Sequence, residues 1–452
     1  MIQYQQEIRR LVRLALPILL AQVAQTAMTL VDTIMAGRYS AIDLAAISIA
    51  SSFWLPIVLT SQGIIMALTP IVAQLNGAQK KEKIPDAVAQ GLWLTLLVFI
   101  PAGLLLYTSP LLLHLMDVSS VMAEKTTGYL HAMLLGLPAY LYYQVLRNYA
   151  EGLSHTIPGM CIGFAALLLN IPLNYLLIYG VWGLPELGGV GCGFASAAAM
   201  WFMAIAMTVY VLKSPSYQEY RLFRHFIGWH TESILRIFKL GAPIAMALFC
   251  EVTLFTVVAL LLAPLGPEIV ASHQVALNYS SLIFMLPLSL GYAVTIRVGH
   301  SMGEQQPQQA KVAVFSGLIV GLSMTVITAT LTILLRHWIA TQYTEEPFVI
   351  TLAAHLIIFA AIYQFSDTVQ AISSGALRGF KDTRVIFLIT LFAYWLIGVP
   401  AGILLGLTDW ITPRMGPQGF WIGIIIGLTT AATLLAFRLR KTLRKTLTVY
   451  TI

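Results

Sequence analysis

Charge is what this sequence has least of. Lys, Arg, Asp and Glu make up 10% of its 452 residues, against about 25% in soluble globular chains. A soluble protein of this size would lack the charged surface that keeps it dissolved. Cysteine is nearly absent too. Cys161, Cys192 and Cys250 are odd in number and lie in apolar runs, which excludes a disulfide-stapled scaffold. Disorder is excluded by the opposite balance, since hydrophobic types reach 58% and the mean hydropathy is +0.81. No polar stretch is long enough for a soluble domain. The longest, about 213–236, carries Lys213, Arg221, Arg224, His225, His230 and Arg236. What is present is a series of long apolar runs, and the chain reads as an all-α integral membrane protein.

A bilayer core of about 30 Å needs roughly 20 apolar residues per helix. Twelve runs satisfy this: 11–36, 46–73, 87–109, 127–150, 159–180 and 190–212, then 237–263, 269–297, 312–336, 348–377, 385–407 and 416–437. The first has a basic start at Arg9, Arg10 and Arg13, but it runs past twenty residues and contains Asp32. It is therefore read as a retained helix, not a leader. Of the 26 basic residues, 22 fall at the two termini and in alternate loops; the exceptions are Arg38, Lys125, Arg336 and Arg414. That bias predicts twelve spans with both termini cytoplasmic. The net charge of +7 is then topology. The basic tail Arg438, Arg440, Lys441, Arg444 and Lys445 is a lipid-headgroup anchor, and nucleic acid is not an expected partner.

The chain also repeats itself. Pro17 aligns with Pro243 and Gly77 with Gly303 at an offset of 226; Gly152 and Thr156 align with Gly379 and Thr383 at 227; Pro172 aligns with Pro400 at 228. This predicts two homologous six-helix halves, 1–225 and 226–452, entering the membrane from the same side as in many secondary transporters. The Gly-rich stretch Gly188–Gly193 lacks the dinucleotide-loop spacing, and close helix packing through small residues explains it better. The prolines Pro17, Pro56, Pro172, Pro243, Pro287 and Pro400 are expected to kink their helices. No nucleotide-binding P-loop, zinc-protease motif, nucleophile elbow or potassium filter occurs. No enzymatic activity and no cofactor are expected.

Three acids sit well inside spans, Asp32, Glu251 and Asp367, with no basic residue at a matching depth. Each costs about 3 kcal/mol at the bilayer centre, so each is expected to face a wet cavity or a cation. Tyr363 lies one turn before Asp367, on the same face. Gln25, Met28 and Asp32 form one stripe, Gln274, Asn278 and Ser281 another, and Asn170 with Asn174 a third. These polar stripes line a cavity or bond neighbouring helices. Glu151 is expected to pair locally with Arg147. His131, His273 and His355 show no metal-ligand spacing and read as packed histidines.

The runs Leu16–Gln22, Val31–Gly37, Leu68–Gln74, Asn170–Tyr175 and Glu186–Gly191 resemble the multidrug and toxic compound extrusion (MATE) family, NorM branch, and the likeness extends over essentially the whole chain. The resemblance implies a monomeric, multi-pass antiporter of the bacterial inner membrane, exporting cationic amphipathic drugs in exchange for Na⁺ or H⁺. It implies that Glu251 and Asp367, with Tyr363, form the cation site of the second half, where Na⁺ could be held as a metal ion. Asp32 matches the acid used by proton-coupled relatives, and Asn170 and Asn174 fall in that half's polar cluster. Having both clusters leaves the coupling ion open. The alternative is a lipid-linked oligosaccharide flippase of related fold, whose pyrophosphate cargo would favour basic residues in place of these acids.

Overall fold

A computed structural model of the chain describes residues 2–115, 119–222, 227–410 and 412–451; Arg224 and His225 lie outside them. Among the described residues there is no β-strand, and twelve long helices follow one another. They are α1 (Ile2–Tyr39), α2 (Ala41–Gly77), α3 (Lys81–Thr108), α4 (Ser120–Gly152), α5 (Ile157–Tyr179) and α6 (Gly189–Lys213). Then come α7 (Thr231–Leu265), α8 (Pro267–Gly303), α9 (Pro307–Thr341), α10 (Pro347–Gly379), α11 (Thr383–Leu407) and α12 (Pro417–Thr451). Eleven are long and apolar enough to cross a membrane. The exception is α4, which carries Lys125, Gln144, Arg147, Asn148 and Glu151 along its length. Hydropathy thus supports eleven crossings where the sequence reading expects twelve.

The helices pack into two units. One comprises Leu16–Ala245, hereafter the N-terminal unit; the other comprises Met1–Ala15 with Met246–Ile452, the C-terminal unit. The dividing points lie inside α1, next to Pro17, and inside α7, close to Pro243. The packing units therefore differ from the sequence halves 1–225 and 226–452 by an exchange of helix starts. In the C-terminal unit, Glu7 on α1 is bound by Arg297 of α8 through two hydrogen bonds of 2.6 and 2.9 Å. In the N-terminal unit, Gly241 of α7 packs directly on the backbone of Ile64.

The duplication is written into the backbone. Left-handed residues recur at Gln79 and Gln305, at Ser154 and Lys381, and at Gly188 and Gly416, the offsets of 226, 227 and 228 seen in the sequence. Each turn is closed identically. Lys80 N–H donates to Leu75 as Gln306 does to Ser301, and His155 to Ala150 as Asp382 does to Leu377. A buried helix is central to each unit. The last turns of α4 lie against α2, where a Cβ on Gly152 would meet Val72 and the Thr69 carbonyl. In α10, a Cβ on Gly379 would meet Val298 and the Thr295 carbonyl of α8. Arg147 and Glu151 form the expected i, i+4 pair at 2.7 Å, both buried.

The glycines act as packing residues. A Cβ on Gly419 would stand 2.5 Å from the Gly406 nitrogen, and one on Gly193 would stand 2.9 Å from the Ala132 Cβ, so α11–α12 and α4–α6 approach at backbone distance. One local feature breaks the repeat. Residues Phe392–Gly398 of α11 form a π-helical stretch just before Pro400, which lacks an N–H and crowds the preceding turn. Pro172, its counterpart, sits inside an ordinary α-helix.

Candidate functional site

Each unit holds a buried polar cluster around one or two of the three intramembrane acids, and the two clusters are built from different helices. In the N-terminal unit Asp32 on α1 is 4% exposed. Its Oδ1 accepts from Asn174 Nδ2 at 2.6 Å and its Oδ2 from Ser196 Oγ at 2.5 Å. Asn174 also donates to Asn170 Oδ1 at 2.8 Å, and Asn170 Nδ2 to Ser196 Oγ at 3.3 Å. The Asn170–Asn174 stripe of α5 is thus turned onto Asp32, through amides one helical turn apart. Cys192 Sγ stands 3.6 Å from the Asp32 carbonyl. The acid's oxygens are bonded, but only by neutral donors, and no cation pairs with it among the described residues.

In the C-terminal unit, Asp367 on α10 is 5% exposed and Glu251 on α7 is half-buried. The two carboxyls lie within Coulomb range of each other and of Tyr363 and Tyr394, and Glu251 also of the buried guanidinium of Arg378. Among the described residues neither acid has a hydrogen-bond or ion-pair partner, in contrast to Asp32. A cavity of about 10 Å³ reaches Asp367, lined on one side by Thr325, Thr328, Gln364 and Thr368 and on the other by apolar residues such as Phe284, Leu286 and Met324; it has room for one water-sized guest. Its polar wall is internally tied: Thr325 and Thr368 share a hydrogen bond of 2.6 Å, and Thr328 donates to Gln364 at 3.0 Å. Tyr394, fully buried, donates to Gln370 Oε1 at 2.7 Å. It sits in the π-helical stretch, a kind of distortion found often at functional sites.

Other residues singled out in the sequence are not drawn into these clusters. Gln25 and Met28 are partly exposed on α1 and make no side-chain hydrogen bond to Asp32. Gln274 and Asn278 are exposed and bond each other at 3.2 Å, an intrahelical pair on α8. His131 stacks on Tyr107 at 5.2 Å. No group of three or more His, Cys, Asp or Glu with metal-binding proximity occurs among the described residues. The sequence reading missed Ser196, lost among the small residues of α6, and Tyr394, one aromatic among many. It also missed the threonine and glutamine wall beside Asp367. A hydroxyl in a span ordinarily bonds its own helix's i−4 carbonyl, so no spacing signals which one is diverted.

The repeat sharpens the contrast. At the offset of 226 the counterpart of Glu251 is Gln25, and at 228 the counterparts of Asn170 and Asn174 are Gly398 and Gly402. Scaffold contacts are duplicated while the polar clusters are not.

A duplicated bundle of membrane-length helices with intramembrane acids in each unit defines a multi-pass transporter architecture. The MatE family model matches residues 17–176 and again 243–404, reproducing the two-fold repeat, and the chain belongs to the MATE family. It is 54% identical to the multidrug resistance protein NorM of Photobacterium profundum, covering 97% of this chain and 96% of that protein. To the multidrug resistance protein MdtK of Yersinia pseudotuberculosis it is 52% identical, with the same coverage. Its fold matches the crystal structure of the eukaryotic MATE transporter AtDTX14 with a TM-score of 0.89 at 24% identity, over 98% of this chain and 99% of that one.

Proposed function

We propose that this protein exports cationic amphipathic drugs in exchange for Na⁺ or H⁺, by alternating access of the two six-helix halves. The observation that carries the reading is the pair Glu251 and Asp367 in the C-terminal unit, neither of which has a hydrogen-bond or ion-pair partner among the described residues. Two negative charges in a low-dielectric setting attract whichever cation reaches them first. A coupling ion entering from the periplasm would neutralise Asp367 and weaken the site's hold on a cationic drug; its release to the cytoplasm would restore that hold. The small cavity at Asp367, polar on one side only, suits a bare or singly hydrated ion better than a drug. Asp32, fully hydrogen-bonded by neutral donors, suits a proton or a single positive charge, so either half can carry the coupling. The multidrug-resistance names of the NorM and MdtK relatives support the cargo class. A pyrophosphate-bearing lipid cargo is disfavoured, because each cluster is centred on acids. Transport makes and breaks no covalent bond, so no catalytic residue is assigned. We place the protein in the bacterial inner membrane as a monomer, with twelve spans and both termini cytoplasmic.

The test is ethidium efflux from inverted membrane vesicles with Na⁺ and pH gradients imposed in turn. One gradient should drive efflux in the wild-type protein, and Asp367→Asn should abolish it at unchanged membrane level. Efflux indifferent to both gradients would overturn the antiport reading.

A further inference from the structure

His273 and Trp421 form a buried pair that neither the duplicated scaffold nor the acid clusters account for. Both side chains are fully excluded from solvent. Trp421 on α12 donates its indole N–H to His273 Nδ1 on α8 at 3.2 Å, and the rings stand edge-on at 5.9 Å. Accepting at Nδ1 places the proton of a neutral imidazole on Nε2. That nitrogen is buried and has no hydrogen-bond partner among the described residues. A buried N–H left unpaired costs about 1–3 kcal/mol, a cost an apolar residue would avoid. The pair persists despite it.

What the pair supports is Tyr363. The other side of Trp421 stacks on the Tyr363 ring, with centroids 5.9 Å apart and an interplanar angle of 30°. Tyr363 is one helical turn from Asp367 on the same face of α10 and is itself buried. Three helices are thereby linked in series, α8 through α12 to α10, ending beside the acid. The counterparts of His273 and Trp421 in the first repeat are Ile47 and Gly193, so the pair exists only in the unit that holds Tyr363, Asp367 and Glu251. Contacts that merely hold the fold together, such as Thr69 with Gly152 and Thr295 with Gly379, occur in both.

We propose that His273 is a positioning residue for the Glu251–Asp367 cluster: by accepting the Trp421 N–H it fixes the indole plane against which Tyr363 stacks, and so sets where the Tyr363 hydroxyl stands relative to Asp367. This rests on the antiport reading above. His273 touches neither carboxylate; it acts through Trp421. A neutral acceptor at the Nδ1 position is the chemical requirement. Asn supplies it through Oδ1, at nearly the same distance from the backbone. Gln reaches the Nε2 position instead, and Leu supplies nothing.

The experiment uses the full chain in proteoliposomes, with ethidium as cargo and Na⁺ or H⁺ titrated as the driving ion. For His273→Leu the half-saturating concentration of the ion that drives the wild-type protein should rise about tenfold, as for loss of one good contact. Maximal efflux should stay within about twofold. His273→Asn should restore the wild-type value and His273→Gln should not, a comparison that decides the matter even where His273→Leu fails to reach the membrane. Combined with Tyr363→Phe, His273→Leu should add little, because both act through one hydroxyl. A change confined to maximal rate or protein level, equal behaviour of Asn and Gln, or effects that multiply in the double variant would each overturn the proposal. If the wild-type protein responds to neither ion, the antiport reading falls and this inference with it; if it responds and the His273 variants leave the half-saturating value unmoved, only the inference falls.

Discussion

Asp32 and Asn174, 142 residues apart, are joined by a 2.6 Å hydrogen bond in which the amide donates to the carboxylate. With Ser196 on the other oxygen, this bond holds an acid in the interior of a membrane-spanning unit with no cation paired to it among the described residues. Asn174→Leu removes one of the two donors and is expected to cost about 1–3 kcal/mol of stability, visible as a lower Tm in detergent. Asn278→Leu, at an exposed and weakly bonded position, should stay within about 0.5 kcal/mol. Equal losses from the two variants would contradict the assigned role of the cluster.

The Glu7–Arg297 pair ties the start of the chain to α8, with side chains 7% and 11% exposed. Removing Glu7 strands the largely buried Arg297, at about 3 kcal/mol, whereas removing Arg297 leaves Glu7 only the longer 3.7 Å contact to the exposed Arg10. Glu7→Leu and Arg297→Leu should each lower Tm, and the double variant should recover much of the loss because no lone charge remains. Strictly additive losses in thermal melts would show that the pair's coupling is negligible.

Gly423 offers a test of backbone packing. A Cβ there would lie 2.5 Å from both the Cα and the nitrogen of Gly402, so α11 and α12 must part to admit it. Gly423→Ala should cost about 1–3 kcal/mol. Gly228→Ala, where a Cβ meets nothing within 4 Å, should change Tm hardly at all. A Gly423 variant as stable as wild type would mean the helices separate freely at this crossing.

His155 lies in the turn after α4, half-buried, with its ring edge-on to Tyr217 at 5.2 Å. Burial lowers its proton affinity below the ordinary imidazole value. The unfolded chain therefore takes up this proton more readily than the folded one. The neutral ring's contribution to stability is complete above about pH 6.5 and is lost as pH falls below that. Melting curves at about pH 7.5 and about pH 5.5 should show His155→Phe less acid-sensitive than wild type. An unchanged difference between the two pH values would remove His155 from the account.

The acids are legible in the sequence itself, since a carboxylate in an apolar run is expensive and therefore conspicuous. So are the repeat, from Pro17 and Pro243, and the Arg147–Glu151 pair, from i, i+4 spacing on one helix. Those features are local, or depend only on composition and order along the chain. Their surroundings are not legible. Ser196, Tyr394 and Trp421 are ordinary residues of apolar helices, and sequence spacing says nothing of which helix lies opposite them. Gln25 and Met28, on Asp32's own stripe, stay outside its bonds because a single α-helical face is too wide to converge on one carboxylate.

The sequence by itself thus determined that the chain is a membrane protein built of two like halves with buried negative charge. Hydrophobic free energy is additive along the chain and needs no partner to be read. Only the tertiary structure decided that Asp32 is held by neutral donors while Glu251 and Asp367 make no direct hydrogen bond or ion pair among the described residues, and that the units exchange the first turns of α1 and α7. Hydrogen bonds are short-ranged and directional, and which donors reach a given oxygen is settled by helix packing alone.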